Sequence, residues 1–167
     1  MSNEWGKDFL TELGKIFSGS GIDAYMTEFG GGDALMIEPD GEEIRANAIV
    51  TVEQSDDDCT CVSLMLPLFD KLEPGVAADL VKLVRYMNKY LTLGSFAVSE
   101  EDGTFIFSHT FVIDEDTERV ILCGIVSEAL DIAEETAAMG GDMVLPVIKG
   151  EKPVSELLNN ESVIVQQ

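Results

Sequence analysis

The chain is predicted to fold as an α+β domain, an antiparallel sheet packed with helices in the order α-β-β-β-β-α-β-β-α. Three observations lead there. Three segments carry apolar residues at helical spacing, and six carry short apolar or alternating runs bounded by turn residues. The strands come in consecutive groups, without the βαβ repeats that a doubly wound parallel sheet needs. A length of 167 residues and a hydrophobic content of 46% suit a single domain with a substantial core.

From Trp5 to Phe17 the residues Trp5, Phe9, Leu13, Ile16 and Phe17 recur at helical spacing, and Ser18-Gly19-Ser20-Gly21 closes that helix. Ile22 to Phe29 and Ala34 to Ile37, joined by Gly30-Gly31-Gly32-Asp33, read as two short strands about a turn. Beyond Pro39-Asp40-Gly41, the residues Ile44, Ala46, Ala48, Val50 and Val52 alternate with Arg45, Asn47 and Thr51, the pattern of a strand with one buried face. The acidic run Asp56-Asp57-Asp58 precedes a fourth strand, Cys59 to Leu68, in which Pro67 marks an end or an edge. Glu73-Pro74-Gly75 then starts a helix with Val76, Leu80, Leu83, Val84, Met87 and Leu91 on one face.

Phe96 to Ser99 and Thr104 to Val112 flank Asp102-Gly103, a dipeptide that supplies the positive φ of a tight hairpin. Asp114-Glu115-Asp116 places negative charge where a third helix would begin. Its residues Ile121, Ile125, Ala129, Ile132, Ala133 and Ala137 lead to a stop at Gly140-Gly141. Residues 1–142 therefore read as the domain. Residues 143–167 read as a C-terminal extension able to pack on it, with a strand at Val144 to Ile148 and one helical turn.

The charge balance narrows the function. Asp and Glu number 32 against 10 Lys and Arg, a formal net charge of −22. Affinity for DNA or RNA comes largely from basic residues displacing counterions, so a nucleic-acid partner is not expected, nor is an anionic membrane. No secretory signal and no membrane-spanning run is read in the sequence, and three cysteines do not make a disulfide framework. A cytoplasmic protein is expected.

The stretch LVKLVRYMNKYLTLGSFAVSEEDGTFIFSHTFVIDEDTERVILCGIVSEALDIAEETAAMGGDM, Leu80 to Met143, has a helix ending in Asn, a short strand, an Asp-Gly hairpin and an acidic helix start. It resembles the YbjN branch of the type III secretion chaperone-like fold. The resemblance implies a dimer that holds an extended segment of another protein, or a regulator, and it implies binding rather than chemistry. Two features depart from the family pattern: the residues beyond the third helix, and the hairpin about Gly30-Gly31-Gly32.

No complete catalytic or ligand-binding constellation is read in the sequence. His109 is the single histidine and shares strand parity with Phe105, Phe107 and Phe111, which suits a hydrogen-bonded residue in an aromatic face. Cys59 and Cys61 with Cys123 and His109 could nominally make four zinc ligands, but only one short-spaced pair exists, and buried free thiols explain the same residues. Gly19 to Ala24 satisfies G-x-G-x-x-A between a helix and a strand, the reverse of the dinucleotide fingerprint. The acidic runs lack the glycine and the twelfth-position glutamate of a calcium loop. No cofactor and no metal is expected.

Lys82, Arg85, Tyr86 and Lys89 share one helix face with Tyr90 beside it, gathering three of the ten basic residues with two tyrosines. Together with Phe105 and Phe107, from a strand with bulky apolar residues on both faces, they form the expected partner or dimer interface. The function expected is thus a non-enzymatic, chaperone-like module that holds a segment of a partner protein and forms a homodimer. Its rivals are a regulatory module docking on a folded partner and an enzyme with a carboxylate-based site.

A charge of −22 repels itself in the compact state. The melting temperature should therefore rise modestly as NaCl increases to about 0.15 M, where the Debye length falls to about 8 Å. A thermal scan series over that range checks this, and a steady fall would contradict it.

Overall fold

The computed structural model describes residues 4–38, 47–54 and 59–159. Its elements are α1 (Glu4–Gly19), β1 (Asp23–Phe29), β2 (Gly32–Glu38), β3 (Ala48–Gln54), β4 (Thr60–Phe69), α2 (Pro74–Asn88), β5 (Ser95–Ser99), β6 (Thr104–Ile113), α3 (Arg119–Ile148) and α4 (Val154–Asn159). The fold is α+β in the order read from the sequence, with α4 added. The six strands form one antiparallel sheet in the order β1-β2-β3-β4-β6-β5. The Pro39-Asp40-Gly41 turn, the alternating residues Ile44 to Ala46 and the Asp56-Asp57-Asp58 run lie outside the described residues.

Register explains which side chains enter the core. Leu35 stands opposite Val50, Val50 opposite Leu64, Leu64 opposite His109, and Leu66 opposite Phe107, so one parity of every strand lines one face. Helix α1 packs there through Phe9, Leu10 and Leu13, with Gly14 facing the side chain of Leu35. Helix α3 crosses β4 and β6 on the same face. Strand β3 departs from the expected single buried face: Ala48, Ile49, Val50 and Thr51 are all buried, because Ala34 and Thr51 also pack together on the other parity.

Pro67 sits within β4, an interior strand. The β3–β4 ladder ends at Ile49↔Met65, so beyond it β4 has a neighbour on the β6 side alone, and a residue without an N–H breaks no bond on the vacant side. The ladder shifts register between Pro67 and Phe69.

The third helix corrects two expectations. The acidic triplet does not enter it: Asp114 Oδ1 accepts the Asp116 N–H at 3.0 Å, the Asp114 carbonyl accepts the Thr117 N–H, and the helix begins at Arg119. Glu115 instead accepts hydrogen bonds from Gln54 Nε2, at 3.0 Å, and from the buried Thr60 hydroxyl, which fastens the loop to the ends of β3 and β4.

At the other end the helix does not stop at Gly140-Gly141, and no strand forms at Val144 to Ile148. It continues to Ile148, with Val144 and Val147 in the core, and runs unbroken across the boundary drawn at residue 142. Gly140 is buried against Phe96: a Cβ there would lie 2.1 Å from Phe96 Cζ. The pair of glycines that reads as a helix stop is, at its first position, the contact that lets the helix approach β5. Pro146 falls in the last turn, and its own carbonyl accepts the N–H of Glu151 and of Lys152 beyond the helix end.

Phe96 is held from several sides. Its ring stacks on Phe105 at 5.4 Å and 2° and meets Phe107 at 5.1 Å. The Asn88 amide, at the end of α2, donates to the Phe96 carbonyl and accepts from the Phe96 N–H, both at 2.8 Å, so the helix end and β5 are pinned together.

Gly140→Ala should destabilise the fold by about 1–3 kcal/mol, the overpacking range, despite the better helix propensity of Ala. Gly141→Ala meets only Phe69 at 3.9 Å and should be neutral or stabilising by up to about 1 kcal/mol. Denaturant unfolding of the two variants checks the contrast, and equal effects would contradict it.

Candidate functional site

Helix α3 is apolar almost all round, and burial divides it into two stripes. Leu122, Cys123, Val126, Leu130, Ala133, Ala137, Gly140, Val144 and Val147 face the core. Of the face expected from the sequence, only Ala133 and Ala137 are fully buried. Ile121, Ile125 and Ile132 point to solvent at 51%, 44% and 43% exposure, followed by Met139 at 61%. Both stripes satisfy helical spacing, so periodicity alone does not say which one the sheet takes.

Beside the exposed stripe lies a groove of about 180 Å³ between α3 and the sheet. Phe107 and His109 of β6, Leu93, and Ile125, Ala129, Ile132 and Ala133 line it, with Glu128 and Thr136 as its other polar members. The Thr136 hydroxyl is occupied, donating to the Ile132 carbonyl of its own helix at 2.8 Å. His109 lies 5.4 Å from the Phe111 ring, as the shared parity requires, and is half-buried. It is the polar residue that the sheet contributes to a mostly apolar groove.

The interface residues expected from the sequence separate into two groups. Lys82 and Arg85 of α2, and Lys89 and Tyr90 just past its end, are exposed, and Tyr86 is half-buried. Tyr86 and Tyr90 meet edge to face at 5.1 Å, Lys89 Nζ lies 5.3 Å from the Tyr90 ring, and Lys82 pairs with Asp79 at 2.9 Å. Tyr86, Lys89 and Tyr90 thus lie together where α2 ends, rather than all on one helix face. Phe105 and Phe107 do not belong with them: they are 0% and 1% exposed, within the stack about Phe96, and only Phe107 reaches a surface, as part of the groove floor beneath α3. Of the other parity of β6, Val112 is 64% exposed and Ile106 half-buried.

A wider, polar cleft of about 820 Å³ opens where the sheet splits. The β2–β3 ladder stops at Ala34↔Thr51, whereas β1–β2 continues to Phe29↔Gly32 and β3–β4 to Gln54↔Thr60. Lys7 reaches Asp33 there at 3.8 Å, and Glu4, Glu53 and Gln54 add to the lining. No His or Cys lines it, so it offers carboxylates, amides and hydroxyls without a companion of intermediate pKa.

The nominal zinc ligands are apart. Cys59 is exposed, Cys61 lies on the parity opposite Thr60 and Val62, Cys123 is buried in α3, and His109 is in the groove. Among the described residues no group of three or more His, Cys, Asp or Glu is placed to hold a metal ion. No helix among them is long and apolar enough to cross a membrane.

No family model matches the chain, and no curated protein matches it in sequence. Among solved structures it is similar to the crystal structure of YbjN, described as a candidate transcription regulator from E. coli. The TM-score is 0.48 and the identity 13%, over 78% of this chain and 86% of that one. At that identity the neighbour says nothing of this chain's partner.

Burial pushes the Cys123 thiol above the usual range, and the nearby Glu12 carboxylate adds to the shift while Arg119 opposes it. The thiolate is thus depleted and shielded near neutral pH. In the native protein Cys59 should react with a thiol reagent while Cys123 reacts only on unfolding, and mass mapping of labelled peptides at pH 7.5 reads this directly. Equal labelling of the two would contradict the packing of α3.

Proposed function

We propose that this chain is a non-enzymatic protein-binding module that holds a segment of a partner along α3. The observation that carries this is the exposed stripe of Ile121, Ile125, Ile132 and Met139 on a helix whose opposite face is already in the core. From Ile121 to Met139 the helix rises about 27 Å, and the stripe borders the apolar groove for part of that length. Single exposed apolar residues are ordinary on a surface, whereas a row of them along one helix face, interleaved with charge and beside a groove, marks a contact surface.

Two further features support binding over chemistry. The buried polar side chains among the described residues are Thr51 and Thr60, so no described carboxylate has the desolvated setting that a tuned acid or base uses. The groove contributes His109, Glu128 and Thr136 as polar groups, and the Thr136 hydroxyl already has an acceptor.

A photo-crosslinking residue at Ile125 or Ile132 should give a discrete adduct with another protein in native cells. The same residue at Ser20, exposed at the end of α1, should not. Absence of adducts on α3, or the same set from all three positions, would overturn the reading.

A further inference from the structure

We infer that the segment held by α3 is a cationic amphipathic helix, lying along the stripe with Lys or Arg against Glu128 and Glu135 and one bulky apolar side chain in the His109 groove. This rests on the reading of α3 as the docking surface and adds the chemistry of its occupant.

Spacing indicates a helix. The central exposed positions of α3 are Ile121, Ile125, Glu128, Ile132, Glu135 and Met139, which follow one another at intervals of four, three, four, three and four. That alternation is the seam along which two helices pack, with apolar residues as the knobs. Gly124 and Ala138, also exposed, flank the stripe on the side away from the groove, and nothing stands within 4 Å of a Cβ at Gly124. A second helix can approach closely over small residues. On the other side Ala129 and Thr136 slope into the groove, where Leu93, Phe107 and His109 complete a recess for a single side chain.

Charge selects which helix. Between Val120 and Ile148 the chain has no Lys or Arg, but has Glu128, Asp131, Glu134, Glu135 and Asp142. The cations at the two ends do not neutralise the seam. Arg119 is engaged with Glu12 at 3.6 Å and with the Trp5 ring, and Lys149 lies past the last turn.

Two of the six seam positions are therefore carboxylates, Glu128 between Ile125 and Ile132 and Glu135 between Ile132 and Met139, and an apolar partner alone would leave them without counter-charge in the contact. A second copy of the same surface would bring Glu128 and Glu135 against their own kind, on molecules that each carry −22. A segment with apolar residues on one face and Lys or Arg along the same seam satisfies both requirements.

The test uses the full chain and three labelled synthetic peptides of about 20 residues, long enough to span the seam at the helical rise. The first is an amphipathic Leu/Lys helix with Leu at the heptad core positions, the second its scrambled sequence, and the third the same pattern in Leu/Glu. Fluorescence anisotropy at 0.15 M salt should show the amphipathic Leu/Lys peptide binding at least about tenfold tighter than the scrambled one, with no binding of Leu/Glu. The exposed double change E128K/E135K should weaken Leu/Lys by about tenfold and admit Leu/Glu, and Ile132→Asp in the native chain should weaken Leu/Lys.

Equal binding of the scrambled peptide would reduce the effect to bulk attraction and overturn the inference. So would an unchanged affinity in E128K/E135K, or concentration-dependent self-association that the same variant abolishes. If crosslinks form at Ile125 and Ile132 while the Leu/Lys peptide fails to bind, the docking surface stands and the cationic partner falls. If neither occurs, both fall.

Discussion

The ring of Phe96 needs a neighbour without a side chain, and Gly140 is that neighbour. Through this contact α3 comes down onto β5 and β6. Through the Asn88 amide the end of α2 is tied to the same residue, and through Phe105 and Phe107 the aromatic stack reaches the middle of the sheet. A packed interior has no slack to absorb an extra methyl at such a crossing. The buried stripe of α3 sets which side of the helix remains outside, and the close approach of Gly140 to Phe96 is the tightest point of that packing.

That placement gives α3 its two surfaces. The inner stripe of Leu122, Val126, Leu130 and Val144 is buried to 3% exposure or less. The outer stripe leaves three isoleucines and a methionine about half exposed, so a partner that covers them gains about half of the roughly 1.5–3 kcal/mol that full burial of each side chain is worth. Carboxylates interleaved with them keep the strip hydrated in the free protein and set the sign of whatever covers it. The same helix thus supplies core and contact surface, with carboxylates set where an apolar strip would otherwise invite indiscriminate association.

Much of the fold was legible in the sequence because its signals are local. Helical spacing in α1 and α2 and the strands of the first meander each reside in a few consecutive residues, and so does the β5–β6 hairpin, although its loop spans Glu100 to Gly103 and only Gly103 takes the positive φ. The α3 site was not legible. Its isoleucines at 121, 125 and 132 read as the core face, since outward and inward stripes of a nearly all-apolar helix have the same period. Phe105 and Phe107 read as surface because β6 is bulky on both parities, and only the ladder with β4 shows that theirs is the side beneath the helices.

The sequence by itself determined the class of the fold, the order and approximate bounds of most of its elements, and the strongly negative field, since these depend on neighbouring residues and on composition. Tertiary structure decided the rest: where α3 begins and ends, which of its stripes is outside, and which residues stand beside His109. Gly140-Gly141 shows why. As a dipeptide it signals a helix stop, yet the free energy of packing α3 on Phe96 outweighs the roughly 1 kcal/mol by which each glycine disfavours a helix. A local propensity of that size yields to long-range burial, and the residue at which it yields is the one that aims the helix.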